Sequence, residues 1–268
     1  MRRALVFLLI VWVLAGCAVV SPSSPPDKIV LLAPFEGRYR EIGYSALYAA
    51  RLAWTDSGAA DITFLALDDG GSEQTALHRA RALSLDERVR VVIVQGYAAT
   101  TPEVFAALGD LPVIVVGDWG ASPAPNVYHL SHAERDGLTV PERISFNDAL
   151  NAPAPVVGGE VFALEGFIAR RDDLDGVRVV SSGTPADADY IARIMASAPY
   201  AATPNHLSTL TYDAFRLAID AVQTATPLDD MRHDGLNGVI RFRDGAWVDA
   251  PRHEYRFDDD GGLQRITP

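Results

Sequence analysis

Residues 28–53 read KIVLLAPFEGRYREIGYSALYAARLA, and this stretch decides the fold class. Its first part, 28–33, is a compact and mostly apolar run, which is typical of a strand buried in a parallel sheet. A loop follows at 34–40, and residues 42–54 then carry apolar side chains at helical spacing. A buried strand that leads into an amphipathic helix is the repeating unit of α/β proteins.

The same alternation continues along the first half of the chain. Ser72 is placed to cap a helix, because its hydroxyl oxygen can accept a hydrogen bond from a free amide of the first turn. The pattern predicts, in order, strand 61–67, helix 73–83, strand 89–94, helix 102–108 and strand 112–116. We therefore expect a parallel sheet with helices on both faces. A ligand is expected at the edge formed by the loops that follow the strands, 34–40, 68–72, 96–101 and 117–123.

The second half of the chain is less regular. Residues 131–154 have weak periodicity and several prolines, and they predict no particular structure. Pro185 suits the first turn of a helix. The other predicted elements are strands at 126–130, 156–157 and 177–181, helices at 162–169, 185–198 and 208–224, and short antiparallel strands at 238–242 and 254–257.

The N-terminal residues have the layout of an export signal. Two arginines precede an apolar segment at 4–15, and its roughly 12 residues are too few for a bilayer crossing of about 20. The segment ends in LAGC, which resembles a bacterial lipobox with Cys17 as the lipidated residue. We predict a lipoprotein signal peptide at 1–16 and a lipid-anchored tether at 17–27, so that the protein lies outside the cytoplasm on a bacterial membrane. The alternative is a plain signal peptide or anchor with an incidental cysteine.

Composition excludes several classes of protein. The formal net charge is −12, which argues against nucleic acid and against a polybasic face that docks on a membrane. Apolar residues make up 49% of the chain and charged residues 22%, as in a globular protein. With one cysteine, no disulfide can form within the chain.

An ordered set of motifs resembles the type I periplasmic binding proteins, and specifically their branched-chain amino-acid (Leu/Ile/Val) binding family. The matching pieces are the opening stretch 28–53, Asp68-Asp69 after the second strand, the strands at 91–97 and 111–116, Tyr212-Asp213-Ala214, and the closing GVIRF at 238–242. The resemblance implies an α/β fold of two lobes, each a parallel sheet flanked by helices. Such proteins bind a small molecule and serve an ABC permease.

The resemblance also predicts a shortened second lobe. Only residues 131–155 lie where the family has further strand–helix units, each of which needs about 30 residues. We accordingly expect the first lobe at 28–130 and a truncated second lobe with C-terminal strands at 131–268.

The family holds a zwitterion between the lobes, and the resemblance places its site on this chain. The ligand carboxylate would meet amides and hydroxyls of the loop 96–101, namely Tyr97, Ala98 and Thr100. The ammonium group would meet Glu160, which follows a G-x-E turn. Alternatively, the loop is a helix N-terminus capped by Thr100 or Thr101, and Glu160 is a solvated carboxylate at the start of a helix.

Asp118 and Trp119 stand where the family has small residues and a threonine. An acid would repel a ligand carboxylate, whereas an indole could stack on an apolar or cationic ligand. Alternatively, Asp118 caps a turn and Trp119 fills the edge of the sheet. If Asp118 and Glu160 both line a cleft, a cationic or neutral ligand is favoured over a simple branched amino acid.

The motifs of common enzymes are missing from the sequence, and we expect no catalysis, no cofactor and no metal site. His129, His132 and Glu134 could suggest a metal site, but a surface cluster fits strand geometry better. The acidic run 258–262 lacks the ligand spacing of a calcium loop, and a hairpin turn fits it better.

These features predict a lipid-anchored, extracytoplasmic solute-binding protein for an amino acid or a similar small polar metabolite, which feeds an ABC transporter or a sensor. The alternative is an envelope scaffold or partner-binding lipoprotein of the same fold that has lost its ligand. A binder needs a concave pocket with Trp119 or Tyr97 at its wall, and a scaffold would fill that space with side chains.

Overall fold

The computed structural model describes residues 25–132, 150–151, 153, 155–171, 173–258 and 261–266. Within these residues the helices are α1 Arg40–Ser57, α2 Glu73–Ser84, α3 Pro102–Leu108, α4 Glu165–Ile168, α5 Ala188–Ser197 and α6 His206–Thr224. The first strands are β1 Asp27–Ala33, β2 Ile62–Asp68, β3 Val89–Val94, β4 Val113–Val116, β5 Val127–Leu130, β6 Val156–Gly158 and β7 Val177–Ser181. The later, mostly short strands are β8 His233–Gly235, β9 Gly238–Ile240, β10 Phe242–Arg243, β11 Ala246–Trp247, β12 His253–Phe257 and β13 Leu263–Arg265.

The larger sheet has the strand order β10-β11-β5-β4-β3-β1-β2. Its neighbours from β11 to β2 are parallel, and only β10 runs antiparallel to β11. Side chains of β1 alternate between two buried clusters: Val30 and Leu32 face α2 and α3, whereas Ile29 and Leu31 face α1 and α6. Both faces are therefore covered, which explains why the predicted strands read as continuous apolar runs.

The smaller sheet has the order β13-β12-β7-β6. Strands β6 and β7 are parallel, and β12 and β13 add to them in antiparallel fashion. A separate hairpin pairs β8 with β9. The fold is thus mixed α/β with a mostly parallel principal sheet, as predicted, and the second sheet is the smaller of the two.

The chain crosses between the two sheets more than once. Helix α6 packs on the larger sheet through residues such as Leu210, Phe215 and Leu217, and β10 and β11 extend that sheet beside β5. The chain then returns to the smaller sheet as β12 and β13. Strands from the predicted second lobe, 131–268, therefore occur in both sheets, and the predicted division at residue 130 does not separate the sheets. Which sheet a strand joins depends on pairing between distant segments, and the local sequence pattern does not show that pairing.

The structure corrects two of the predicted helices by more than two residues or by a break. Helix α5 begins at Ala188 and not at Pro185, because the side chain of Asp187 accepts a hydrogen bond from the amide of Tyr190 and caps the helix there. The helix expected at 162–169 is split into a 3₁₀ turn, Glu160–Ala163, and the short α4. By contrast, the Ser72 cap is confirmed, since its hydroxyl oxygen accepts from the amide of Thr75.

Candidate functional site

The loop that follows β4 in the larger sheet meets the loop that follows β6 in the smaller sheet, and we call this contact the junction. The amide of Asp118 donates to Oε2 of Glu160 over 3.1 Å, and the hydroxyl of Ser181 donates to Oε1 over 2.8 Å. Glu160 is 2% exposed. Its carboxylate thus joins the larger sheet to the end of β7 in the smaller sheet.

Burial dominates the electrostatics of Glu160. Loss of solvent raises the pKa of its carboxyl group above the ordinary 4.5, and the hydrogen bond from the Asp118 amide opposes that rise. The nearby Asp118 carboxylate adds to the rise. The alternative of a solvated carboxylate at a helix start is therefore wrong for Glu160.

Gly117 allows this close approach. Its φ is +88°, and a Cβ added there would lie 2.7 Å from Leu207, 3.4 Å from Nε1 of Trp119 and 3.5 Å from Oε2 of Glu160. Only glycine readily adopts this positive φ, and only a residue without a Cβ fits in this space. The backbone at Gly117 therefore lies directly under the side chains that fill the junction.

Trp119 fills the edge of the larger sheet. It is 2% exposed, and its indole N–H donates to the carbonyl of Val116 over 2.6 Å. Its ring meets Tyr97 edge to face at 5.1 Å, and Tyr97 in turn meets Tyr39 at 5.5 Å. This arrangement matches the alternative given for Trp119, in which its side chain fills the edge of the sheet.

Asp118 is also turned inward. Its Oδ1 accepts from the amide of Gly120 over 3.1 Å, which is the turn cap given as the alternative for this residue. Asp118 and Glu160 are both buried. The condition that would favour a cationic ligand, two acids on the wall of an open cleft, is thus not met in this structure.

The loop after β3 forms a short 3₁₀ turn, Ala98–Thr100, whose residues are buried. The hydroxyl of Thr100 donates to the carbonyl of Gly96 over 2.9 Å. The side chain of Thr101 accepts a hydrogen bond from the amide of Val104 and caps α3. This agrees with the alternative in which the loop is a capped helix N-terminus. Tyr97, Asp118, Trp119 and Glu160 are therefore brought together, and Ala98 and Thr100 lie in the adjoining turn.

Phe162 occupies further space at the same junction. Its ring packs directly on the backbone of Gly158, where an added Cβ would lie 2.3 Å from it, and it stacks on Phe167 at a centroid distance of 4.4 Å. Phe162, Phe167 and Trp119 belong to one buried apolar cluster with residues of the larger sheet. In this structure the predicted ligand site is filled by the protein's own side chains.

A second link between the sheets was not predicted from the sequence. The carboxylate of Glu41, in the first turn of α1, accepts from the amides of Glu165 and Gly166 at the start of α4, over 2.7 and 2.8 Å. Burial raises the pKa of Glu41, and these two hydrogen bonds oppose the rise. Nothing in the sequence distinguishes Glu41 from an ordinary solvated acid on a helix.

Beside this link lies a cavity of about 870 Å³. Its walls come from the turn before α1, from α1 itself, from α4 and from the loop after α5. It therefore lies between α1, which packs on the larger sheet, and α4, which follows β6 of the smaller sheet, next to but outside the filled junction.

The remaining candidates are placed as follows. Cys17 and Glu134 lie outside the described residues. His129 and His132 line another cavity, of about 340 Å³. The amide of Asp258 donates to the carbonyl of Gly262 over 2.8 Å, and the amide of Gly262 donates to Oδ1 of Asp258 over 2.7 Å. These bonds join the ends of β12 and β13, which form the predicted hairpin.

Known structures share this architecture, although no family model and no curated protein matches the sequence. A branched-chain amino-acid ABC transporter protein, described as putative, from Rhodospirillum rubrum is 14% identical over 90% of this chain and 100% of its own, with a TM-score of 0.61. A leucine-binding protein from Thermotoga maritima is 12% identical over 90% and 98%, with a TM-score of 0.67. A solute-binding protein from R. palustris, in complex with benzoate, is 15% identical over 90% and 95%, with a TM-score of 0.63.

The chain has the type I periplasmic-binding-protein fold. The fold expected from the motifs of 28–53 and from the closing GVIRF is thereby confirmed. At 268 residues the chain is shorter than is typical of this fold. Across the described ranges, none of the helices combines the length and the hydropathy that a bilayer crossing requires.

Proposed function

We propose that the protein is an extracytoplasmic solute-binding protein that presents a small molecule to an ABC permease or a sensor. The observation that carries this proposal is the cavity of about 870 Å³ between α1 and α4, a volume within the range of small-molecule sites. Solved structures with the same fold include a leucine-binding protein and a benzoate complex, which supports an amino acid or an aromatic acid as the class of solute.

The proposal includes the N-terminal anchor. Residues 1–16 serve as the signal peptide, Cys17 carries the lipid, and residues 17–27 act as the tether. The proline- and serine-rich run SPSSPP at 21–26 supports a stiff spacer. Such a tether keeps the binding domain within reach of a permease in the same membrane.

The filled junction favours a second candidate function. Trp119 and Phe162 occupy the space predicted for a ligand, and Glu160 bonds the Asp118 amide directly. A scaffold or partner-binding lipoprotein of this fold needs no open site, and this packing would stabilise its closed form.

A thermal-shift panel separates the two functions. The full chain, purified in mild detergent, is tested against amino acids, amides, polyamines, sugars and aromatic acids. A solute at a hundredfold excess over its Kd stabilises a binder by about 2.7 kcal/mol, which raises the Tm of a domain of this size by roughly 5–10 °C. A raised Tm with one class of solute supports solute binding, and an unchanged Tm with every class supports the scaffold.

A further inference from the structure

The cavity beside α1 has a chemical character of its own. We call it the tyrosine groove and define it by six of its lining residues: Arg40, Glu41, Tyr44, Tyr48, Arg170 and Tyr200. None of them is among the residues predicted to contact a ligand, although Arg40 ends the loop 34–40 at the predicted ligand edge. Three of the six are aromatic.

Two of the tyrosines are unusually accessible for large side chains. Tyr44 is 42% exposed and Tyr200 is 88% exposed, while Tyr48 behind them is buried. The ring of Tyr44 is held edge to face by Phe35 at 6.0 Å. Accessible aromatic faces in a concave surface give a flat apolar ligand a place to pack at little cost in side-chain entropy.

The charge of the tyrosine groove is positive, although the chain as a whole has a net charge of −12. Three guanidinium groups line it, from Arg38, Arg40 and Arg170, against the carboxylates of Glu41 and Glu165. Glu41 is already engaged by two backbone amides at the start of α4. Arg170 already donates to the carbonyl of Gly166 over 2.6 Å, but the guanidinium groups of the lining still outnumber its carboxylates by three to two. This excess of positive charge suits a carboxylate, which a planar guanidinium binds through paired hydrogen bonds.

We infer that the tyrosine groove binds an aromatic carboxylate, with the ring packed against Tyr44 and Tyr200 and the carboxylate held by Arg40 and Arg170. This inference rests on the proposed solute-binding function and names the class of solute. It places the ligand outside the filled junction, so that Trp119 need not move. It also reverses the charge expected if Asp118 and Glu160 faced the ligand.

Equilibrium dialysis of the full chain in detergent, with radiolabelled benzoate as the probe, tests the inference. Unlabelled benzoate should displace the label at least tenfold better than neutral benzamide, because benzamide lacks the charge. Arg40→Gln should weaken benzoate binding about tenfold or more, and Tyr200→Ala should also weaken it severalfold. Arg88→Gln is the matched control, since Arg88 precedes β3 at the opposite edge of the sheet, and its affinity for benzoate should equal that of the wild type.

Arg40 and Tyr200 are both exposed, so Arg40→Gln and Tyr200→Ala should keep the wild-type Tm, and a loss of binding can be assigned to the lost side chain. Benzoate binding that Arg40→Gln and Tyr200→Ala leave unchanged would overturn the inference. So would binding of amino acids alone, although the proposed solute-binding function would then stand. Failure of benzoate and of every class in the thermal-shift panel would overturn both.

Discussion

The amide of Asp118 donates to the carboxylate of Glu160 over 3.1 Å, and so the loop after β4 in one sheet is bonded to the loop after β6 in the other. The bond is buried, and the hydroxyl of Ser181 supplies a second donor to the same carboxylate. A buried hydrogen bond that joins two lobes stabilises their closed arrangement, and any opening of the lobes must break it.

Removal of the Glu160 carboxylate should destabilise the protein clearly. Glu160→Ala leaves the Asp118 amide and the Ser181 hydroxyl without their acceptor, at a cost of about 1–3 kcal/mol for each unsatisfied group. Glu160→Gln keeps one carbonyl oxygen and should lose less. Urea denaturation with the linear extrapolation measures both, and equal stability of Glu160→Ala and wild type would contradict this role.

The stability that depends on Glu160 should rise as the pH falls. Its pKa is raised in the folded state, so the folded protein binds this proton more tightly than the unfolded chain. The gain begins as the pH drops through the folded pKa and is complete below the ordinary value of 4.5. Because Glu41, Asp69 and Asp213 also have raised pKa values, the quantity to measure is the difference between wild type and Glu160→Gln. A difference that stays constant from about pH 7 to pH 4.5 would count against a raised pKa.

Trp119 should contribute mainly through packing. Trp119→Ala should cost about 3–5 kcal/mol, as large-to-small changes of buried aromatic residues do. Trp119→Phe keeps most of the apolar contact and loses the indole hydrogen bond to Val116, so its cost should be nearer about 1 kcal/mol. Thermal and urea unfolding of the two variants provide the comparison. If Trp119→Ala and Trp119→Phe both lowered the free energy of unfolding by the same small amount, the indole would not be a packed part of the junction.

The second link between the sheets can be tested with a matched pair of acids. Glu41→Gln replaces one acceptor of the two α4 amides with a donor and should cost about 1–2 kcal/mol. Glu103→Gln changes another acid in the first turn of a helix, α3, and should cost less, because among the described residues Glu103 makes no hydrogen bond to α4. Urea unfolding measures the free energy of unfolding of both variants and compares each with the wild type. An equal cost would mean that Glu41 acts only on its own helix.

The lipid anchor gives a prediction that does not depend on the cleft. In the native host, growth with labelled palmitate should label the wild-type protein, because the proposed function assigns the membrane anchor to an acyl group on Cys17. Cys17→Ser should carry no label. Label that persists in Cys17→Ser would place the lipid elsewhere or refute the lipoprotein assignment.

Local structure was largely predictable wherever the chain is continuously apolar. The strands at 89–94 and 177–181 and the helix at 102–108 have the predicted bounds, because buried parallel strands and a proline-started helix leave strong local signals. The return of α6, β10 and β11 to the larger sheet was not predictable in the same way. It depends on pairing between distant segments.

The candidate site shows the same division. The sequence placed Tyr97, Asp118 and Trp119 in loops at one edge of the first sheet, and the family resemblance placed Glu160 opposite them in the second lobe. The structure brings the four residues together. It did not show that Glu160 would be buried, because that depends on Ser181 and on the Asp118 amide, which lie far from it along the chain. Glu41 was missed for the same reason, since its partners are the amides at the start of α4, more than 120 residues away along the chain.

Calorimetric titration of the full chain tests the central claim, solute binding in the cavity between α1 and α4, most directly. The solute that raises the Tm most should bind with a stoichiometry of about one and a negative heat-capacity change, since apolar surface is buried on binding. The opposite result is the absence of a saturable heat with amino acids, amides, polyamines, sugars and aromatic acids alike. That result would contradict solute binding and leave the scaffold as the function of this fold.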